Sequence, residues 1–320
     1  LTPQAMTEIP QTAEIIGEIS MTTEKPILTT FMGEYAVKEG IERLARYKIP
    51  NYSYPEHAIE SFQTMWRYRR WQEQPSLTYV SFEADKARVR QIIDQVQNAG
   101  HLEIGDLKAR EILAAYQFEV PSSMVAEDSD MAVALADEIG YPVVMKIVSP
   151  EILHKSDVGG VRVGLKSQEE VHAAFLEIMS KVRKLMPQAL IQGVSIQKMY
   201  EGNREVILGM ARDPQFGPLI MFGLGGIYVE VLKDVSFRIA PICREEAQAM
   251  ITEIKSYPML KGVRGQKPVD IAAIVDALLH LSQLAVDFPE ILEADVNPLI
   301  MKESGQGAVA VDARFTISPN

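Results

Sequence analysis

The chain has 320 residues, 47% hydrophobic and 23% charged, with a formal net charge of −11 and one cysteine. That length buries a sizeable core and suffices for two domains, or for one domain with subdomains. The acidic balance argues against electrostatic binding to nucleic acid or anionic membranes, and a lone cysteine excludes an internal disulfide framework or a cysteine metal cluster. No apolar run reaches the ~18 residues of a spanning helix, and no signal peptide opens the chain. It starts on Leu1, almost inside an element, and reads as a cytoplasmic fragment of something longer.

Residues 1–72 predict the end of an α/β unit. A short apolar strand, 26–32, is closed by Gly33, and a helix over 34–47 follows with Val37, Ile41 and Leu44 at helical spacing. Residues 48–52 predict the next strand, and Pro55 opens a helix carrying Ile59, Phe62, Met65 and Trp66. This β-α-β-α alternation implies parallel pairing in a doubly wound sheet. Residues 73–103 change character, with Pro75 and Ser76 giving way to the charged stretch 83–90 and a polar run ending at Gly100. That segment predicts an interdomain linker with a helix over 84–98.

From Ile104 the α/β pattern resumes, with Asp106 capping a helix through Tyr116 and a second helix over 129–139 stopped by Gly140 and Pro142. The run 143–148 reads as a buried strand with Lys146 in its middle. It opens into a loop holding His154, Lys155, Ser156, Asp157 and the pair Gly159-Gly160. A lysine in an apolar strand is costly to bury unless it meets an anion. Adjacent glycines let backbone N–H groups approach a phosphate. A lysine that snorkels to water, followed by an ordinary turn, accounts for the same residues. A second strand, 161–165, leads to the capping box Ser167-x-x-Glu170 and a helix with Val171, Phe175, Ile178 and Val182 on one face.

After 190 the pattern turns to β, with strands over 190–199, 204–212, 218–222 and 228–232. Helices over 244–256 and 270–286 precede strands over 291–301 and 307–315. The glycine-rich patch 222–227 reads as a tight turn, and Cys243 as a packed thiol. Two clusters stand out. In Gln197-Lys198-Met199 to Glu205 a strand ends and the next begins with an acid, which suits a hinge whose backbone binds adenine while Glu205 takes ribose hydroxyls; a charged hairpin explains it equally. In the other, period-two spacing puts Glu293, Asp295 and Asn297 on one strand face, with Asp312 in the middle of the last strand. Oxygen ligands on two adjacent strands suit Mg²⁺ when phosphates supply the rest, and Asn-Pro also marks ordinary turns.

These stretches together resemble the ATP-grasp domain of the succinyl-CoA synthetase superfamily, specifically the ADP-forming acyl-CoA (acetate–CoA) ligases. The resemblance rests on Lys146-Ile-x-Ser-Pro-x-Ile-x-His154-Lys-Ser-Asp-x-Gly-Gly, Arg204-Glu205-Val-Ile-Leu-Gly-Met, Asp213-Pro-x-Phe-Gly-Pro, Gly-Val-Arg264-Gly and Glu293-x-Asp295-x-Asn297-Pro-Leu. Residues 1–70 resemble the end of the flavodoxin-like ligase domain that precedes ATP-grasp in fused members. The implied fold is α/β: the end of a doubly wound flavodoxin-like domain over 1–72, a linker over 73–103, and an ATP-grasp domain over 104–320 with two α+β subdomains dividing near 189/190.

The resemblance also implies roles. Lys146 contacts the ATP phosphates under a Gly159-Gly160 lid, Gln197, Lys198 and Met199 form the adenine hinge, and Glu205 holds ribose. Asn297 and Asp312 hold Mg²⁺, His154 is a second phosphoryl carrier on the ATP-grasp side, and Asp295 stands where the succinyl-CoA synthetases have a glutamate that steadies the phosphohistidine. The implied enzyme is an acid–thiol ligase using ATP/ADP, Mg²⁺ and CoA. Its CoA-binding and carrier-histidine domains lie upstream, in the same polypeptide or another subunit, so this chain alone does not complete the reaction, and the complete enzyme is an oligomer. Two other classes stay open: the regulatory body of a protein lysine acetyltransferase, and a non-catalytic nucleotide sensor.

Overall fold

The computed structural model describes residues 1–4, 6–33, 35–73, 78–152, 155–202, 204–226, 233–263 and 265–319. The chain divides into two compact units between Leu77 and Thr78.

The first unit contains α1 (Ile9–Ser20), α2 (Lys38–Arg46) and α3 (Pro55–Gln72). Sequence reading did not anticipate α1, whose signals are Pro10 in the first turn and the spacing of Ile9, Ala13 and Ile16. Ile9, Ala13, Phe31, Val37, Leu44 and Ile49 form the core. The two expected strands shorten to one parallel bridge between Thr29 and Asn51, where Asn51 Oδ1 accepts the Phe31 N–H at 2.8 Å. The parallel sense is as expected, but among the described residues a single bridge replaces the wound sheet. α3 buries none of its residues.

The second unit begins with α4 (Lys86–Asn98), β1 (Glu103–Ile104), α5 (Asp106–Ala115), β2 (Ser123–Ala126), α6 (Ser129–Ile139), β3 (Val143–Val148), β4 (Val161–Leu165), α7 (Gln168–Leu185) and β5 (Gly193–Lys198). It continues with β6 (Arg204–Asp213), β7 (Gly217–Leu224), β8 (Val235–Ile239), α8 (Arg244–Glu253), α9 (Tyr257–Leu260), α10 (Ile271–Asp287), β9 (Ile291–Met301), β10 (Ala308–Ala310) and β11 (Ala313–Ile317). The helix expected inside the 73–103 linker is part of this unit. Asp85 Oδ1 caps α4 by accepting the Arg88 N–H at 2.9 Å, and Val89, Ile92, Ile93 and Val96 enter the core at helical spacing.

The larger lobe is an antiparallel sheet in the order β1-β11-β9-β6-β7-β8, with β10 also on β9. Apolar stripes of α4, α5, α8 and α10 pack with its strands into one core, including Ile112, Met250, Leu278, Leu208 and Phe315. On β9, Ala294, Val296 and Leu299 enter this core while Glu293, Asp295 and Asn297 stay out of it, as the period-two pattern predicts. The strand expected over 228–232 lies outside the described residues, and β8 supplies the edge strand beside β7.

The smaller lobe is an antiparallel sheet in the order β2-β5-β3-β4, with α6 and α7 packed into its core. Asp128 caps α6 and Ser167 caps α7. The Glu170 carboxylate, however, accepts the Lys166 N–H at 2.7 Å rather than that of Ser167. The expected subdomain division near 189/190 moves. β5 pairs with both β2 and β3, so it belongs to the smaller sheet, and the chain returns to the larger lobe only after Lys198. Residues 104–115, expected with the first subdomain, lie with the larger sheet through the β1–β11 pairing. No helix among the described residues is long and apolar enough to cross a membrane.

Candidate active site

Strand alternation decides where Lys146 goes. Val143, Met145 and Ile147 point into the smaller lobe's core, as do Val194 and Ile196 of β5. Lys146 and its cross-strand neighbour Ser195, with Gln197 two residues further on, therefore occupy the other face of the sheet. There Lys146 Nζ meets the larger lobe. It donates to Val311 O at 2.8 Å and pairs with Asp312 Oδ2 at 2.8 Å and Asp106 Oδ2 at 3.4 Å. The snorkelling alternative fails, since only 6% of the lysine side chain is exposed.

Asp312 was expected in the middle of a strand. It lies instead in the break between β10 and β11, where Val311 N–H donates to Pro298 O and Asn297 N–H to Asp312 O, both at 3.2 Å. The break turns the Val311 carbonyl to Lys146, and the Gln197 amide nitrogen reaches the same oxygen at 3.5 Å. Asp312 keeps 36% of its side chain open to solvent.

Asp106 was expected as a helix cap, yet Gly105 holds the cap position and the carboxylate is buried. Arg110 grips it through Nε at 2.9 Å and Nη2 at 3.2 Å, and Lys155 Nζ lies 3.4 Å from Oδ2. Burial pushes the Asp106 pKa up, but Lys146, Lys155 and Arg110 outweigh it and hold the carboxyl below its usual range. At Asp312 burial dominates, the Asp106 charge adds to it, and the lysines offset only part, so its pKa is raised.

The glycine pair is folded on itself. Gly159 N–H donates to Ser156 O at 2.9 Å, Gly160 N–H to Lys155 O at 2.7 Å, and Gly160 O accepts Ile147 N–H at 2.7 Å. Neither amide stands free to cradle an anion in this conformation. Gly160 is required for close packing, because a Cβ there would sit 2.5 Å from Ile147 Cγ2. At the expected hinge, Met199 N–H donates to Pro142 O at 3.1 Å and Lys198 is exposed. Glu205 is exposed near the start of β6, and Gly225 packs against it, its N–H donating to Glu205 O at 2.8 Å. The glycine patch read as a tight turn thus buttresses Glu205. Asp295 lies on the β9 face with Asn297, opposite Arg314 of β11. His154 and Arg264 lie outside the described residues.

A cleft of ≈ 370 Å³ opens beside this cluster, lined by Ile147, Pro150, Lys155, Gln192, Asp312 and Arg314 among others. Val143 pairs with Lys198 whereas Val148 pairs with Gly193, so the cleft and the hinge lie at opposite ends of β3. Two observations test the fit of the implied groups. Gln197 Oε1 is buried and has no hydrogen-bond partner among the described residues. An orphan acceptor costs about 1–3 kcal/mol, and a nucleobase amine would satisfy it. No group of three or more His, Cys, Asp or Glu side chains converges to hold a metal among the described residues. Asn297 and Asp312 offer oxygen donors, the ligand type a hard cation takes together with phosphates and water.

A sequence model of the ATP-grasp domain matches residues 95–317. The chain belongs to the ATP-grasp family, in the branch of the ADP-forming acetate–CoA ligases. It is 51% identical over 231 residues to acetate–CoA ligase (ADP-forming) I subunit beta of Pyrococcus furiosus, covering 72% of this chain and 98% of that subunit. It is 44% identical over 313 residues to acetate–CoA ligase (ADP-forming) I of Archaeoglobus fulgidus, covering 97% of this chain but only 44% of that protein. Among solved structures it resembles dinucleotide-forming acetyl-coenzyme A synthetase 1 of Ca. Korarchaeum cryptofilum in complex with coenzyme A, Ca-AMPCP and HgCl+, with TM-score 0.69, 43% identity, and coverage of 72% of this chain and 99% of that one. A second form of that protein contains Mg-AMPPCP, with its phosphohistidine segment pointing towards the nucleotide binding site; this match has TM-score 0.63, 41% identity, and coverage of 72% and 99%.

Proposed function

We propose that this chain is the nucleotide-binding and phosphoryl-transfer part of an ADP-forming acyl-CoA synthetase, acting in acyl-CoA + ADP + phosphate ⇌ carboxylic acid + CoA + ATP. The observation that carries the reading is the meeting of Lys146 Nζ with Asp312 Oδ2 and Val311 O, each at 2.8 Å, between the two lobes. A lysine suited to phosphate and a carboxylate suited to metal stand at one point, beside the buried Gln197, whose amide oxygen has no partner among the described residues. The names of the relatives support the reaction class. This chain spans 44% of the A. fulgidus relative, so in this reading the CoA-binding and carrier-histidine functions belong to other segments or to a partner subunit in a cytoplasmic oligomer.

Within this reading Gln197, Lys198 and Met199 receive the base and Glu205 the ribose. Lys146 binds phosphate oxygens, and the Gly159-Gly160 turn covers them once its internal hydrogen bonds open. Asn297 and Asp312 hold Mg²⁺, which neutralises phosphate charge when bound. His154 accepts the γ-phosphoryl group in line and passes it on, with Asp295 steadying the imidazole. The test is incubation with γ-labelled ATP and Mg²⁺. Acid-labile label should accumulate on the protein and disappear in His154→Ala; equal labelling of the two proteins would remove His154 from the pathway.

A further inference from the structure

Three residues of the buried cluster, Asp106, Arg110 and Lys155, have no part in the scheme above. Asp106, on the larger lobe, offers both carboxylate oxygens inward with 3% of its side chain exposed. Its Oδ1 accepts from Arg110 Nε at 2.9 Å and from the Ala313 N–H at 3.4 Å. Its Oδ2 meets Arg110 Nη2 at 3.2 Å and both Lys146 Nζ and Lys155 Nζ at 3.4 Å. Two ammonium groups, one from β3 and one from the following loop, thus converge on a single oxygen.

Like charges do not share one oxygen without cost. Among the described residues, Arg110, Lys146 and Lys155 form ion pairs with Asp106 and Asp312 alone, three cations to two carboxylates, so these described side chains carry surplus positive charge. The surplus lies at the cleft: Lys155 and Asp312 both line it, and Lys155 is 15% exposed where Lys146 is 6% exposed. If Asp312 turns to a metal ion, Lys146 and Lys155 are left with Asp106 as their common counter-charge. An anion with several oxygens then fits between them.

We propose that Lys155 is a second cation for the terminal phosphate oxygens of the nucleotide, and that Asp106 is the positioning residue that sets it beside Lys146. The proposal rests on the nucleotide reading above. Asp106 reaches across from α5 and fixes both lysines relative to the break that carries Asp312.

The experiment is calorimetric titration of the whole chain with Mg-ATP and, separately, with AMP, which lacks the terminal phosphates. Lys155→Met should weaken Mg-ATP binding at least roughly tenfold, the worth of one charge-assisted contact, and leave AMP binding unchanged; Lys155→Arg should retain most of the Mg-ATP affinity. Asp106→Asn should lower the same Mg-ATP to AMP preference, Asp106→Glu should restore part of it, and adding Asp106→Asn to Lys155→Met should lower it by less than Asp106→Asn does alone, because only the Lys146 contact is then left to lose. A preference unchanged in Lys155→Met overturns the role of Lys155. Equal losses for both ligands in Asp106→Asn would make Asp106 merely structural and overturn its positioning role. If Lys146→Met lowers the preference while Lys155→Met does not, this proposal falls and the nucleotide reading stands. Wild-type protein that fails to bind Mg-ATP overturns both.

Discussion

Lys146 of the smaller lobe and Asp312 of the larger lobe meet at 2.8 Å, so the side chain proposed for phosphate and the one proposed for metal hold each other. Nucleotide and cation binding must exchange this contact for two new ones. The ion pair itself adds little stability, because 36% of the Asp312 side chain faces solvent, which screens the charge. A double-mutant cycle with Lys146→Met and Asp312→Asn, followed by urea unfolding, should give a coupling of about 1 kcal/mol. A value several times larger would mean a dry, rigid pair ill suited to exchange.

Asp106 makes the pH dependence specific. Burial pushes its folded-state pKa up, but Lys146, Lys155 and Arg110 outweigh burial and lower it from the usual carboxylate range to about 2. A depressed carboxyl pKa contributes stability that is complete above about pH 4, the unfolded-state value, and is lost as pH falls through the folded-state value. The stability difference between wild type and Asp106→Asn should therefore be constant above that range and shrink on acidification toward it. Unfolding midpoints measured across that range check this, and a difference that does not change with pH would contradict it.

Gly160 has no room for a side chain. A Cβ would lie 2.5 Å from Ile147 Cγ2 and 3.0 Å from Lys155 O, so Gly160→Ala should cost about 1–3 kcal/mol by overpacking. Adding Ile147→Ala, which removes the struck methyl group, should leave the double variant less destabilised than the sum of the two single losses. Thermal unfolding of both variants measures this; full stability in Gly160→Ala would show that the turn is free to move.

The site was legible where local pattern carries chemistry. Lys146 in an apolar strand signalled an anion, and Asn297 and Asp312 do lie together, joined by a backbone hydrogen bond. Asp106 was misread because, Arg110 aside, its partners are distant: Lys146 is 40 residues away and Ala313 is 207. A capping signal is local, whereas a buried counter-ion is a tertiary fact. β5 looked like the start of a new subdomain because strand pattern does not say which sheet a strand joins. The helix over 84–98 was legible, but the charged residues Lys86, Arg88 and Arg90 made it look like linker surface and hid that its stripe Val89, Ile92, Ile93 and Val96 joins the larger lobe's core. The glycines of 223–226 became informative only once Gly225 was seen against Glu205.

The central claim is that Mg-nucleotide binds between the lobes at Lys146 and Asp312. Calorimetric titration of wild type, Lys146→Ala and Asp312→Ala with Mg-ATP tests it most directly. The account predicts saturable binding to wild type and a loss of at least roughly tenfold in each variant, with the Asp312→Ala loss disappearing when Mg²⁺ is omitted. Unchanged affinity in both variants would contradict it.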